Sequence, residues 1–195
     1  NKINLALVEA SEGLVDQIQK VVQVATELQL TLFDGITTEQ LDEALIHTAL
    51  QNVKDDPDYD KIASRLLLKN LYKRILGQYT SPEELKKLHA KVFPEYLKQG
   101  IADGLLDPRM NNKTFDLKKL AAALEPSRDG LMRYLGVITS RNRYALRKNS
   151  GEAVEVPQFT AMRIAMGLSL LEKDPTATAL EFYEYISKLD ANPAG

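Results

Sequence analysis

Residues Pro157–Asp190 read PQFTAMRIAMGLSLLEKDPTATALEFYEYISKLD. Pro157 stands where a helix accepts proline, at a first position whose N–H has no intrahelical partner. Phe159, Met162, Ala165, Met166 and Leu170 follow at helical spacing. Asp174 and Pro175 repeat the pattern as cap and first residue of another helix. Ala179, Leu180, Tyr183 and Ile186 continue the apolar stripe. These residues dictate two helices folded against each other with a buried seam.

Immediately upstream the period changes. Arg143-Tyr144-Ala145-Leu146, Asn149-Ser150-Gly151 and Ala153-Val154-Glu155-Val156 read as strand, turn and strand, a small hairpin leading into the helical pair. Before it, Asp129 to about Ser140 reads as helix, and Asp116 caps a short helix through Leu124 that Pro126 ends. Ser81-Pro82-Glu83-Glu84 is the strongest helix start in the chain, with an N-cap serine, proline at the first position and glutamate at the third. That helix extends to about Ala102. Residues 1–79 read as four helices with short connections: 2–12, 15–30, 38–53 and 59–76. A turn at Phe33-Asp34-Gly35-Ile36 precedes the third, and Thr37 with Gln40 forms a capping box at its start. Ile18, Val21, Val22 and Leu28 are the apolar positions of the second helix. Ile62, Leu66, Leu67 and Leu71 face inward on the fourth, which stops at Gly77. The expected architecture is mainly α, in two helical modules (1–79 and 80–195), with one small β-hairpin near residues 143–156.

The 195 residues carry a net charge of −2, so no global positive field draws the chain to nucleic acid or anionic membrane. No apolar run approaches the ~20 residues of a spanning helix, and residues 1–5 read as helix rather than signal peptide. Cysteine is absent, which removes disulfides, thiolate nucleophiles and cysteine metal sites and fits a cytoplasmic protein. His47 lies beside Ile46 and Thr48 with no partner acid set by the sequence. His89 stands among Lys86, Lys87 and Lys91 and reads as a surface residue. Asp55/Asp56 read as a solvated loop, and Glu83/Glu84 as complements to a helix N-terminus. Lys69, Lys73 and Arg74 form a basic cluster on one helix. Its plain reading is a solvated face, and its functional one needs a nucleotide phosphate nearby. Arg141, Arg143 and Arg147 cluster with Tyr144 at the hairpin, the one feature that would suit nucleic acid. There is no glycine-rich phosphate loop, metal-ligand spacing or nucleophile motif.

Several stretches, in order across nearly the whole chain, resemble the N-terminal part of the large, catalytic subunit of ribonucleotide reductase. Val156-Pro157-Gln158 through Met162-Arg163-Ile164-Ala165-Met166-Gly167-Leu168 is similar to that family's "rPQ…MRvAmGl" segment. Phe182-Tyr183 with Ser187 is similar to its "fY…lS" segment, and Arg143-Tyr144 followed by Gly151-Glu152 to its "RY-L…G-E" hairpin. Phe33-Asp34-Gly35-Ile36-Thr37-Thr38 resembles the "yxGvtT" turn of the family's nucleotide-binding cone. Pro57-Asp58-Tyr59 with Ala63-Ser64-Arg65-Leu66 resembles its "pdY…aARl" helix.

The resemblance implies an ATP-cone over residues 1–79, where ATP activates and dATP inhibits, followed by the helical domain that packs against the catalytic barrel. Matching positions for the allosteric nucleotide are Lys2 and Ile3 on the first helix, Thr38 on the capped helix and Lys73 on the fourth. Thr38 would offer first-turn N–H groups and a hydroxyl, and Lys2 and Lys73 charge for phosphates. Asp42 stands where many of the family's cones have histidine. The family's opening strands would precede Asn1, and its substrate and specificity sites would follow Gly195. Its thiyl-radical reaction needs cysteines that this chain lacks, so no catalytic residue and no metal is expected here. No role is assigned to Pro193. The implied partners are the remainder of the large subunit and the radical-generating small subunit, in an oligomer, with no nucleic acid and no membrane. The chain would be a regulatory and structural portion of a reductase, either a fragment or one piece of a split subunit. The alternative reading is a helical protein-interaction module that binds no nucleotide.

Overall fold

The computed structural model describes residues 2–30 and 35–190, with the side chain of Lys2 excepted. Phe33 and Asp34 of the expected turn, together with Asn1 and Pro193, lie outside the described residues. The helices are α1 (Lys2–Ala10), α2 (Gln17–Gln29), α3 (Thr38–Gln51), α4 (Asp58–Leu76), α5 (Pro82–Ala102), α6 (Leu117–Ala123), α7 (Tyr134–Thr139), α8 (Pro157–Ser169) and α9 (Pro175–Ser187). A 3-10 turn covers Pro126–Leu131, and a π turn, Ser140–Tyr144, continues α7. The architecture is mainly α, as the periodicity predicts. Two compact units divide it: residues 1–70 with Met132–Val137, and residues 71–131 with 138–195.

The first unit packs α1, α2, α3 and most of α4 around Leu7, Val24, Leu28, Leu45, Ile62 and Leu66, all buried. Of the apolar positions expected to define α2, Leu28 is buried, whereas Ile18 and Val22 are 81% and 58% exposed. The reason is that α2 turns a different stripe inward: Lys20, Val24 and Leu28 lie at i, i+4 and i+8. Ile18 and Val22 instead join Leu5, Val8 and Val15 as exposed apolar side chains. Residues 132–137 return to this unit. The Ser64 hydroxyl donates to the Met132 carbonyl at 2.9 Å, and the Tyr134 N–H donates to the Asp60 carboxylate at 3.3 Å.

The second unit is built on the α8–α9 hairpin and α5. Phe93, Leu97, Phe159, Met162, Met166 and Tyr183 are essentially inaccessible. Pro157 and Pro175 open their helices as expected, and Asp174 accepts from the Ala177 N–H at 3.0 Å. Ser81 and Asp116 cap α5 and α6. Gly77, at φ +81°, follows α4 in the left-handed region that glycine adopts without strain.

Two expectations change here. The segment from Asp129 to Ser140 is not one helix. Asp129 turns its carboxylate inward to Tyr72 and Gln158 instead of capping a following turn, so the chain runs as 3-10 turn, α7 and π turn. The hairpin is also shorter than 143–156. Its one bridge among the described residues pairs Arg147 with Ala153. Arg143 and Tyr144 belong to the π turn, closed by the Ala145 N–H on the Ser140 carbonyl at 2.9 Å. Side chains take the backbone groups that a longer ladder would use. Arg163 donates to the Tyr144 carbonyl at 2.7 Å, and the Glu155 carboxylate accepts from the Leu146 N–H at 3.0 Å.

Candidate functional site

The best-defined helix start in the first unit is that of α3. The Gln40 N–H donates to the Thr37 hydroxyl at 3.2 Å, and the Thr37 N–H donates to the Gln40 side-chain oxygen at 3.0 Å. This closed box leaves the next residue, Thr38, exposed at the first helical position. First-turn N–H groups there have no intrahelical partner, and the helix dipole favours a negative group. Asp42 follows one turn on, half-buried. Lys2 is the first residue of α1, and Ile3 is half-buried. Lys73 is exposed in the last turn of α4, on the stretch that belongs to the second unit. Lys2, Ile3 and Thr38 therefore share the first unit, and Lys73 lies in the second.

The basic cluster on α4 divides. Lys69 is held in an ion pair with Glu9 of α1, whereas Lys73 and Arg74 are exposed.

The motif residues on α4 hold the first unit together. Arg65 donates to the carbonyls of Ala10 and Glu12 at 3.0 and 2.8 Å, satisfying acceptors left at the end of α1. The Tyr59 hydroxyl donates to the Gln23 side chain at 2.9 Å. Buried Lys20 pairs with Asp56 at 2.7 Å and donates to the Val15 carbonyl at 2.6 Å. The bond to Asp56 raises the Lys20 pKa, and the same bond holds Asp56 below the usual carboxylate range. Asn52, also buried, accepts from Gln23 at 2.7 Å and donates to Glu27 at 2.6 Å and to the Thr48 carbonyl at 3.0 Å.

In the second unit the motif residues form two buried polar networks. In one, the Tyr72 hydroxyl and the Gln158 amide both donate to Asp129, at 2.5 and 2.6 Å. Tyr183 donates to the Gln158 oxygen and accepts from the Glu125 N–H at 2.8 Å. Burial, only partly offset by those two hydrogen bonds, pushes the Asp129 carboxyl up to about 7. In the other, Glu155 is 1% exposed and accepts from Arg163 at 2.6 and 3.1 Å, from Thr160 at 2.9 Å and from Tyr96. Burial, then the adjacent Glu155 charge, drives the Tyr96 hydroxyl upward.

His89, expected at the surface, is fully buried. The lysines that suggested exposure sit on the other side of α5, while His89 shares a stripe with Leu85, Phe93 and Leu97. Its Nδ1 bonds the Leu85 carbonyl at 2.8 Å, its ring meets Tyr72 and Phe159 edge-on, and its Nε2 has no partner among the described residues. Burial lowers its pKa to about 4, so it is neutral. Asp129, Glu155 and His89 are buried polar groups that the sequence reading does not place in the interior. For His89 the signal was available in the i−4 and i+4 neighbours. Asp129 and Glu155 lie where no helical period reports a facing side.

No group of three His, Cys, Asp or Glu among the described residues is placed to hold a metal ion, and no described helix is long and apolar enough to cross a membrane.

Two family models match separate parts of the chain. A family model of the ATP cone domain matches residues 1–74, and one of the ribonucleotide reductase all-alpha domain matches residues 131–195. The class is thus a regulatory cone joined to an all-α reductase domain. Over 191 residues, 97% of the chain, it is 35% identical to the ribonucleoside-diphosphate reductase subunit alpha of Helicobacter pylori. It is 35% identical over 162 residues to that of Chlamydia muridarum, and 29% identical over 188 to the large subunit of Arabidopsis thaliana. Those matches cover 83% and 96% of this chain. The chain spans 23%, 15% and 22% of these three relatives. It belongs to the ribonucleotide reductase large-subunit family, and what it carries is the N-terminal part.

Proposed function

We propose that this chain senses adenine nucleotides for a ribonucleoside-diphosphate reductase, with ATP activating and dATP inhibiting. The observation that carries the reading is the cone match over residues 1–74, on a unit whose α3 opens with an exposed Thr38 beside a closed capping box. Thr38 and the first-turn N–H groups receive the nucleotide's polar groups and Ile3 supports its base, while Lys2 and Lys73 are assigned to the phosphates by the family resemblance alone. The cone covers residues 1–79 and the helical domain residues 80–195. The protein works in the cytoplasm, in an oligomer with the catalytic barrel of the large subunit and the radical-generating small subunit. Calorimetric titration of ATP and dATP into the native polypeptide containing this chain tests the reading. Both nucleotides bind, and Thr38→Ala and Lys73→Ala each weaken binding about tenfold. Absence of binding at millimolar dATP overturns nucleotide sensing and leaves the protein-interaction module.

A further inference from the structure

Arg74 is exposed on α4. It stands at the mouth of a cavity of about 310 Å³ that lies wholly in the second unit. That volume falls in the range of small-molecule sites. The cavity is amphipathic in an ordered way. Ile75, Val92, Tyr96, Leu146, Val154 and Phe159 contribute its walls and are buried or half-buried. The charged residues that line it are exposed, so they mark its mouth. Tyr96 and Phe159 place their rings 5.1 Å apart, centroid to centroid, at 30°, giving one side a broad aromatic surface. The Tyr96 hydroxyl is tied to Glu155, and Phe159 is wedged against Phe93 and His89, so this surface is preorganised.

The charges at the mouth are not equivalent. Glu152 pairs with Lys148 at 3.7 Å, Glu95 pairs with Lys98 at 3.6 Å, and Asp103 accepts from the Gln99 amide at 2.7 Å. Arg74 has no ion-pair or hydrogen-bond partner among the described residues. One uncommitted guanidinium beside an aromatic wall suits a single anionic group on an apolar body. Three carboxylates nearby disfavour a polyphosphate, which separates this site from the proposed nucleotide site. We propose that this cavity binds a flat apolar molecule carrying one anionic group, its body against Tyr96 and Phe159 and its anion on Arg74.

The aromatic sulfonate 1-anilinonaphthalene-8-sulfonate has that chemistry and reports its own burial by fluorescence. Titrated into the whole chain, it is expected to bind saturably at one site. Arg74→Gln, at an exposed position, weakens that site about tenfold. Val154→Trp fills the cavity and abolishes it, with the fold checked by circular dichroism. Excess ATP does not displace the dye. A titration unaffected by Arg74→Gln places the dye on another apolar face and overturns the proposal, whether or not Val154→Trp folds. Displacement by ATP, or the absence of saturable binding, overturns it as well.

Discussion

The two units solve the same problem, joining helices, in different ways. In the first, polar side chains tie neighbouring elements: Arg65 on the end of α1, Asn52 between α3 and α2, Lys20 on Asp56. Its apolar positions are divided between core and surface, with Leu5, Val8, Val15, Ile18 and Val22 exposed. In the second, an aromatic cluster of Phe93, Tyr96, Phe159 and His89 fills the centre, and the polar groups beneath it are buried and, among the described residues, satisfied except at His89 Nε2. Point ties among half-exposed helices open locally at lower cost than a packed aromatic core. If the first unit senses nucleotides as proposed, that latitude suits it.

The largest effect should come from Phe159→Ala, which deletes the ring at the centre of the second unit. It is expected to cost about 4 kcal/mol, read by denaturant unfolding, with hydrogen exchange reporting which amides lose protection. Equal loss in both units would break the contrast. Asn52→Ala should cost about 2 kcal/mol through the unpaired side chains of Gln23 and Glu27. Its increased exchange should be confined to α2 and α3. Loss of protection in α8 and α9 would contradict the division.

Over any one pH unit the third effect is smaller, at most about 1.4 kcal/mol. Asp129, raised to about 7, keeps its proton in the folded state after the unfolded chain has lost it. Its contribution to stability therefore falls as pH rises from about 4 to about 7. His89, lowered to about 4, refuses a proton that the unfolded chain accepts, so its contribution rises with pH from about 4 to about 6.5. The two slopes oppose each other around the Tyr72 ring that touches both groups. Stability of the intact chain should be nearly flat across that window. Asp129→Asn should make it fall on acidification, and His89→Leu should make it fall on alkalinisation. Parallel pH profiles for all three would show that these groups titrate normally.

Helix starts were legible because each is local: Thr37 with Gln40, Ser81 before Pro82, Asp174 before Pro175. Helix faces were legible where a stripe was uniformly apolar, as on α4 and α8. Burial of Lys20 and His89 was not, because each carries a polar atom into an inward stripe and needs a partner chosen by the fold. The return of residues 132–137 to the first unit depends on Ser64, 68 positions from its acceptor, a separation no periodicity encodes. Of the nucleotide positions, the setting of Thr38 was readable from its capping box, whereas Lys2 and Lys73 came from resemblance alone.

One helix runs without a break from Asp58 to Leu76, yet its residues up to Asn70 belong to one unit and those from Leu71 to the other. The boundary between the units therefore falls inside a helix. A recombination event that moved the first unit cleanly would have to cut through hydrogen-bonded helical turns. It would also strand Met132–Val137, which lies in the midst of the second unit's sequence.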